Sequence, residues 1–170
     1  MKRLVVVRGT MGAGKTAVCR ELMKLLAPCA WLDGDWCWMM EPFTVNGENR
    51  AMVLDNIAHL LRAYLQNSGY ETVLFCWVLH EPGILDGLLS RLEGCEYALF
   101  QVALTCSEGT LRRRLEADAA RGTRAPDVVG RSVRRLPLYA AMGLPTLATD
   151  GLTPPEAARE IKRMLEAGEC

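Results

Sequence analysis

The sequence predicts an α/β fold in which a mostly parallel sheet is covered by helices on both faces. Short strand-like runs alternate with segments of helical periodicity along the 170 residues, and strands separated by helices usually pair in parallel. A glycine-rich loop lies between the first strand and the first helix, where folds of this class bind ligands. The chain length predicts a single domain spanning residues 1–170.

The first strand and the first helix flank that loop. The run from Leu4 to Val7 is short and rich in β-branched residues, which predicts a strand over 3–8. Apolar residues then recur at helical spacing, which predicts a helix over 15–26. These residues are Val18, Leu22, Leu25 and Leu26.

The rest of the chain repeats this alternation. Further strands are predicted over residues 29–33, 72–79, 97–105 and 145–149. Further helices are predicted over residues 49–67, 84–92, 108–120, 130–141 and 154–167. The segment Thr153-Pro154-Pro155-Glu156 is a start signal for the last of them.

One segment, residues 118–132, departs from this pattern. It is polar, carries several arginines and is interrupted by Gly122, Pro126 and Gly130. Such a segment between two helices predicts a mobile lid.

The composition limits the classes of partner. The formal net charge is zero, which argues against a broad surface for nucleic acid or for anionic lipid. No apolar run approaches membrane-spanning length, and the one before Arg8 is too short for a secretory signal. The seven cysteines are scattered and form no C-x-x-C pair, so we expect reduced thiols in a cytoplasmic protein. A monomer and a homodimer both fit the sequence.

The glycine-rich loop fits the phosphate-binding pattern Gly9-x-x-x-x-Gly14-Lys15-Thr16. Its glycines let backbone N–H groups turn towards an anion, Lys15 can reach the terminal phosphates and the Thr16 hydroxyl can ligate Mg²⁺. A chance glycine turn before a helix is the plainer alternative, but the flanking strand and helix favour nucleotide binding. The predicted binding residues here are Gly9, Thr10, Met11, Gly12, Ala13, Gly14, Lys15, Thr16 and Ala17.

Two carboxylates, Asp33 and Asp35, follow the second predicted strand. At that position both emerge beside the phosphate loop. One carboxylate can then orient or deprotonate an attacking hydroxyl, while the other holds a water of the Mg²⁺ shell. An Asp-Gly-Asp sequence also suits an ordinary turn, but its place after the loop and the strand favours catalysis.

The stretch after these acids is rich in large apolar residues. Two interpretations fit it equally: the side chains stack on a planar acceptor, or they cover the core. The residues are Trp36, Trp38, Met39, Met40 and Phe43. Trp77 lies in a predicted strand, and we expect it in the core.

Four segments, GTMGAGKT, LDGDW, TCSEGTLRRRLEAD and RRLPLY, together resemble the small P-loop kinases of metabolites and nucleotides. Gluconate kinase, adenylylsulfate kinase, shikimate kinase and chloramphenicol phosphotransferase are members of this group. The resemblance implies a P-loop NTPase fold with a five-stranded parallel sheet in the order 2-3-1-4-5. It also implies ATP with Mg²⁺, a small-molecule acceptor and a closing lid.

The resemblance further implies roles for individual residues. Asp35 would be the base or the hydroxyl-orienting group, and Asp33 the outer-sphere magnesium partner beside Thr16. Arg114 matches an arginine that packs against adenine. Arg135 matches an arginine after the lid that clamps an anionic substrate or the transferring phosphoryl group.

This sequence departs from the kinase pattern at two places. Many relatives carry a lid arginine four residues beyond Arg114, where this chain has Asp118. The third strand ends in Leu79-His80-Glu81 rather than in a magnesium-binding aspartate. We therefore expect Asp33 to take the magnesium role with Glu81 in reserve, and His80 to be a hydrogen-bonded residue at the strand end.

The lid region offers arginines for the charge that spreads over the phosphoryl oxygens during transfer. A solvated basic face is the alternative, and we expect only about two of these arginines to contact ligand. The candidates are Arg121, Arg124, Arg131, Arg134 and Arg135. Arg124 and Arg135, with Lys15 and Asp35, form the predicted catalytic set.

The sequence thus predicts an ATP- and Mg²⁺-dependent kinase that transfers the γ-phosphoryl group to a hydroxyl or a phosphate of a metabolite, a nucleoside or nucleotide, or an antibiotic. The alternative is a nucleotide-binding regulatory or switch module that phosphorylates no small acceptor. A GTP-dependent switch would need a guanine-reading Asn-Lys-x-Asp stretch, and the sequence contains none. This favours the kinase.

Overall fold

The computed structural model describes residues 1–121 and 127–168. Its strands form one sheet in this part of the chain. They are β1 (Lys2–Arg8), β2 (Cys29–Asp33), β3 (Thr72–Trp77), β4 (Tyr97–Thr105) and β5 (Thr146–Ala148).

The strand order is β2-β3-β1-β4-β5, and every neighbouring pair is parallel. The predicted α/β class and the order implied by the kinase resemblance are confirmed. Because the strands are parallel, their carboxyl ends meet at one edge of the sheet. The register there places Asp33 opposite Cys76 and Arg8 opposite Trp77.

Helices connect the strands and cover both faces of the sheet. They are α1 (Lys15–Leu25), α2 (Gly47–Gln66), α3 (Pro82–Ser90), α4 (Glu108–Ala120), α5 (Val128–Ala141) and α6 (Pro154–Ala167). A short 3₁₀ helix (Gly34–Trp38) follows β2 directly.

Alternate residues of the central strand enter two different cores. Val5 and Val7 of β1 pack in the core that includes α1 and α6, whereas Leu4 and Val6 pack in the core that includes α2 and α3. All four of these side chains are fully buried. β1 is therefore apolar on both faces, as expected for the central strand of a covered parallel sheet.

The boundaries differ from the predicted ones by two residues or fewer. β3 ends at Trp77 rather than at residue 79, and Leu79 has a φ of 43°, a turn conformation that no strand continues. α2 begins at Gly47 because the Asn46 side chain caps the helix by accepting a hydrogen bond from the Asn49 N–H, at 2.7 Å. α3 begins at Pro82, which suits the first turn of a helix.

The predicted lid lies only partly in the described residues. Its first residues end α4 and its last ones begin α5, which starts at Val128 rather than at residue 130. Residues 122–126 lie outside the described part of the chain, and Arg124 is among them.

No helix in the described part of the chain has the length and apolar character needed to cross a membrane. The cysteines in this part of the chain are free thiols. They are Cys19, Cys29, Cys37, Cys76, Cys95 and Cys106. The expectation of unpaired thiols is met at these positions.

Candidate functional site

The loop between β1 and α1 has the backbone that its glycines allow. Gly12 has a φ of 82° and Gly14 a φ of 99°, values that side-chain-bearing residues rarely adopt. A Cβ on Gly12 would also lie 2.8 Å from carbon atoms of the Leu115 side chain in α4. The loop is therefore packed against α4, and glycine is required there for space as well as for conformation.

Lys15 is the first residue of α1, and its side chain is only 8% exposed. Its ammonium group donates to two backbone carbonyl oxygens of the loop, Gly9 O at 2.8 Å and Thr10 O at 3.1 Å. Burial lowers the pKa of Lys15, while nearby Cys76 and the two aspartates act in the opposite direction. The loop thus holds this cation at the place where a phosphate group would bind.

The N-terminus of α1 is open to a ligand. Its N-cap residue, Gly14, has no side chain to accept a hydrogen bond from the first turn, so the N–H groups of that turn have no side-chain cap. These N–H groups and the helix dipole favour an anion. The residues from Met11 to Val18 line a cavity of about 390 Å³, which is within the usual range for small-ligand sites.

Asp33 connects α1, the helix after the phosphate loop, to the segment after β2. Its Oδ2 accepts a hydrogen bond from the Thr16 hydroxyl at 2.8 Å, and its Oδ1 accepts one from the Asp35 N–H at 3.1 Å. Asp33 is 3% exposed. One carboxylate therefore ties α1 to the start of the 3₁₀ helix, and it also acts as the N-cap of that helix.

Asp35 is exposed and lines the same cavity as Lys15 and Thr16. Its Oδ1 accepts a hydrogen bond from the indole N–H of Trp77 at 3.0 Å. The structure thus brings both predicted acids to the edge of the phosphate loop. Trp77 is half-buried and packs against the core that includes α2, as expected, and its indole N–H also reaches the site.

The oxygen atoms of Thr16 and Asp33 form a donor set that suits Mg²⁺, a hard cation that prefers oxygen ligands. The described residues contain no group of three or more His, Cys, Asp or Glu side chains that could hold a metal ion. A magnesium ion held here would therefore draw most of its ligands from phosphates and water, which is its usual mode in nucleotide sites.

Arg114 forms part of the wall of the same cavity. Its guanidinium group donates to Thr149 Oγ1 and Thr149 O, both at 3.0 Å, and makes a longer contact of 3.5 Å with Ala13 O. These contacts join α4, the loop and the segment after β5. Thr149 itself is missing from the predicted site because β5 carries no recognised motif.

Asp118 lies one helical turn beyond Arg114 and lines the same cavity. The departure from the kinase pattern at this position thus falls within the candidate site. Of the two arginines expected to substitute, Arg121 is an exposed residue at the C-terminal cap of α4. The other, Arg124, is outside the described residues.

The α5 arginines do not line the cavity in the described part of the chain. Arg131 and Arg134 are exposed, whereas Arg135 is half-buried. Burial lowers the pKa of Arg135, and the neighbouring Arg131 lowers it further. A contact between Arg135 and a phosphoryl group remains a prediction.

The other predicted strand-end residues, His80 and Glu81, lie beyond the strand, in the segment between β3 and α3. His80 lies 3.3 Å from Glu81, measured from Nε2 to Oε1. Burial lowers the pKa of His80, and the Arg135 guanidinium adds to this effect. Glu81 is exposed and is not part of the described cavity wall.

The large apolar residues after Asp35 were expected either to stack on an acceptor or to cover the core, and each interpretation fits some of them. Trp38 and Met40 pack against the core that includes α2. Trp36, Met39 and Phe43 are 49%, 84% and 64% exposed. The stretch therefore covers the core in part and leaves large apolar groups at the surface next to the acids.

The sequence profile of the AAA domain family matches residues 5–129. No curated protein sequence matches the chain.

Solved structures share the fold over nearly the whole chain. A gluconokinase from Sinorhizobium meliloti 1021 superposes with a TM-score of 0.70 and 19% identity, covering 98% of this chain and 93% of that one. Shikimate kinase from Acinetobacter baumannii in complex with shikimate superposes with a TM-score of 0.65 and 19% identity, covering 99% of this chain and 96% of that one.

APS kinase from Mycobacterium tuberculosis in complex with AMPPNP and APS gives a TM-score of 0.65 and 19% identity, with coverages of 97% and 98%. The resemblance to small P-loop kinases is confirmed in the fold.

Proposed function

We propose that this chain, which belongs to the AAA domain family, is a kinase that transfers the γ-phosphoryl group of ATP to a small-molecule acceptor. The observation that carries the proposal is the position of Asp33 and Asp35. Asp33 is hydrogen-bonded to Thr16 of the phosphate loop, and Asp35 lines the loop cavity. An acid at the position of Asp35 can accept the proton of an acceptor hydroxyl during phosphoryl transfer. Nucleotide binding alone does not require such an acid.

In the proposed reaction, the acceptor hydroxyl oxygen forms a bond to the γ-phosphorus of ATP. The bond from that phosphorus to the bridging oxygen of ADP breaks, and Asp35 takes the hydroxyl proton. Lys15 and the N–H groups at the start of α1 hold the phosphates and stabilise the charge that develops on them.

Thr16 and Asp33 are the residues that would hold Mg²⁺. The chemistry that the ion supplies when bound is neutralisation of charge on the phosphate oxygens. The proposal for Arg114 is contact with the nucleotide base, since this residue lines the cavity. Arg135 and Arg124 remain proposed ligands of the transferring group or of an anionic acceptor.

The first experiment measures ADP release from ATP with Mg²⁺, with and without candidate acceptors. The candidate acceptors for this assay are selected beforehand, by a thermal-shift screen of nucleosides, nucleotides, sugar acids and aminoglycosides with a non-hydrolysable ATP analogue. ADP formation that depends on a selected compound, with a phosphorylated product visible by mass spectrometry, supports the kinase. ADP formation that is unaffected by any compound supports the switch module.

The variant that tests the assignment of Asp35 as the base is Asp35→Asn, which keeps the shape of the side chain and removes its basicity. We expect kcat for transfer to fall about 100-fold or more, because a positioned general base contributes at least about that factor. The affinity for ATP should stay within about twofold, since the proposed role of Asp35 is confined to the transfer step. Normal transfer by this variant would contradict the base assignment.

A further inference from the structure

The indole of Trp77 contacts the proposed base from a neighbouring strand. Trp77 is the last residue of β3, and its Nε1 lies 3.0 Å from Asp35 Oδ1. This distance is normal for an N–H···O hydrogen bond, and a charged acceptor strengthens it. The contact joins two residues that are 42 positions apart in the chain.

The indole reaches Asp35 because the residue between the two acids has no side chain. A Cβ on Gly34 would lie 2.5 Å from Cγ of Trp77 and 2.8 Å from its Cδ1 and Cδ2. These ring atoms lie near the Trp77 backbone and are not the mobile end of a long side chain. The clash could therefore be relieved only by moving the whole indole. Gly34 and Trp77 therefore form a matched pair that sets where the indole lies.

Contacts to both its backbone and its side chain hold Asp35 in place. Its backbone N–H donates to Asp33 Oδ1 at 3.1 Å, and its carboxylate accepts the hydrogen bond from Trp77. Asp35 is otherwise an exposed residue, and an exposed side chain samples several rotamers. The indole hydrogen bond therefore favours one orientation of the carboxylate at the cavity edge, and the backbone contact fixes the position from which the side chain extends.

We propose that Trp77 is a positioning residue for phosphoryl transfer, holding the Asp35 carboxylate in the orientation that an acceptor hydroxyl meets. This inference rests on the proposed kinase function. An indole N–H is a donor only, so Trp77 orients the acid and exchanges no proton with the acceptor. A carboxylate accepts several hydrogen bonds, so the indole and the acceptor hydroxyl can be bound together.

The kinetic test is Trp77→Phe, which keeps an aromatic ring and removes the N–H donor. We expect kcat to fall about tenfold, because displacement of a reacting group by about 1 Å can cost up to about 100-fold in rate. The KM for ATP should be unchanged, because the phosphate loop is untouched. The control is Trp31→Phe, which removes an indole N–H that donates to Cys76 Sγ, at 3.4 Å, rather than to Asp35.

The outcomes separate this proposal from the proposed function. If the wild-type protein transfers no phosphoryl group to any acceptor, the proposed function fails, and a role of Trp77 in transfer fails with it. If the wild type transfers and Trp77→Phe has the same kcat, only the role of Trp77 is overturned. An equal loss of kcat in Trp31→Phe would also overturn it, because the effect would then not be specific to Trp77.

A spectroscopic test needs no acceptor and no change at Trp77. The chain has four tryptophans, so a ¹⁵N-labelled sample gives four indole N–H resonances. We expect Asp35→Asn to move one resonance upfield, because an amide oxygen accepts a weaker hydrogen bond than a carboxylate. The Trp31 resonance should stay in place. No movement of any indole resonance would overturn the proposed contact.

Gly34→Ala is a second kinetic variant, in which the tryptophan remains but its indole is displaced. We expect a loss of kcat similar to that of Trp77→Phe and movement of the same indole resonance. Full activity in Gly34→Ala, with circular dichroism showing a folded protein, would contradict the role of the matched pair.

Discussion

Lys15 is a buried cation whose partners are carbonyl oxygens of its own loop. Buried ammonium groups need such partners, because desolvation of an unpaired charge is costly. A phosphate oxygen is a stronger acceptor than a carbonyl oxygen, since it carries negative charge. We therefore expect Lys15 to exchange carbonyl contacts for phosphate contacts when a nucleotide binds.

Lys15→Ala should weaken the binding of a non-hydrolysable ATP analogue about 10- to 100-fold, because a charge-assisted hydrogen bond is lost. Isothermal titration calorimetry measures this. The control is Lys24→Ala on the same helix, where the lysine pairs with Glu21 at the surface. Equal affinity of Lys15→Ala and the wild type would contradict the nucleotide assignment of the cavity.

Arg114 is the second residue whose role can be tested alone. Its guanidinium group is fixed by Thr149 and lines the cavity. Arg114→Ala should reduce nucleotide affinity about tenfold, because a wall of the site is removed and its hydrogen bonds to Thr149 are lost. Arg113→Ala is the matched control, since that residue is exposed on the same helix. Similar losses in both variants would argue for a general effect on α4.

At the scale of elements, α5 is joined to the segment after β3 by a partly buried hydrogen bond. The Tyr139 hydroxyl donates to Val78 O at 2.7 Å, and its ring is fully buried. A second contact joins α5 to the phosphate loop, where the Thr10 hydroxyl donates to Ser132 O at 2.9 Å. The helix after the predicted lid is thus attached both to the strand end and to the loop.

Tyr139→Phe should lower the free energy of unfolding by about 1–2 kcal/mol, because the Val78 carbonyl loses its donor. Urea denaturation measures the change. The control is Tyr70→Phe, where the ring packs edge-on against Tyr64 and is only half-buried. Equal stability of Tyr139→Phe and the wild type would mean that the hydrogen bond contributes nothing.

The same tyrosine also predicts a dependence on alkaline pH. Burial raises the pKa of Tyr139 above its ordinary value of 10.0. The unfolded chain therefore releases this proton at a lower pH than the folded protein does, so the wild type loses stability as the pH rises above about 10. Tyr139→Phe should lose less stability over that range, which urea denaturation at two pH values would measure.

At the scale of the whole molecule, the parallel sheet brings the parts of the candidate site to one edge. The loop follows β1, the two acids follow β2, Trp77 ends β3, and Thr149 follows β5. These residues come from distant parts of the chain, and ligand binding at this edge would connect four of the strands. We therefore expect nucleotide binding to stabilise the molecule as one unit.

A non-hydrolysable ATP analogue with Mg²⁺, at about 100 times its Kd, should add about 2.7 kcal/mol to the free energy of unfolding. For a chain of this size that corresponds to a rise in Tm of about 5–10 °C. Differential scanning calorimetry should show one transition, as the single domain predicts. Lys15→Ala should show a much smaller rise, and removal of Mg²⁺ with EDTA should reduce it. Two separate transitions would contradict the single domain.

Much of this architecture is predictable because it is encoded by neighbouring residues. Periodicity locates strands and helices, and the spacing of glycines, Lys15 and Thr16 identifies the phosphate loop without any tertiary contact. The two acids could be placed beside that loop because the carboxyl ends of parallel strands share one edge. The observed boundary of an element differs from the predicted one where the backbone conformation of a single residue ends the element, as Leu79 does beyond β3.

Local sequence patterns were therefore enough to predict the α/β class, the loop and the candidate acids. The side chains that orient these acids could be identified only from contacts in the folded protein. Trp77 reads as an ordinary strand residue, and its contact with Asp35 depends on the pairing of β2 with β3 and on the space above Gly34. Thr149 contacts Arg114 only because β5 lies beside β4. Such contacts join residues far apart in the chain, so no local pattern encodes them.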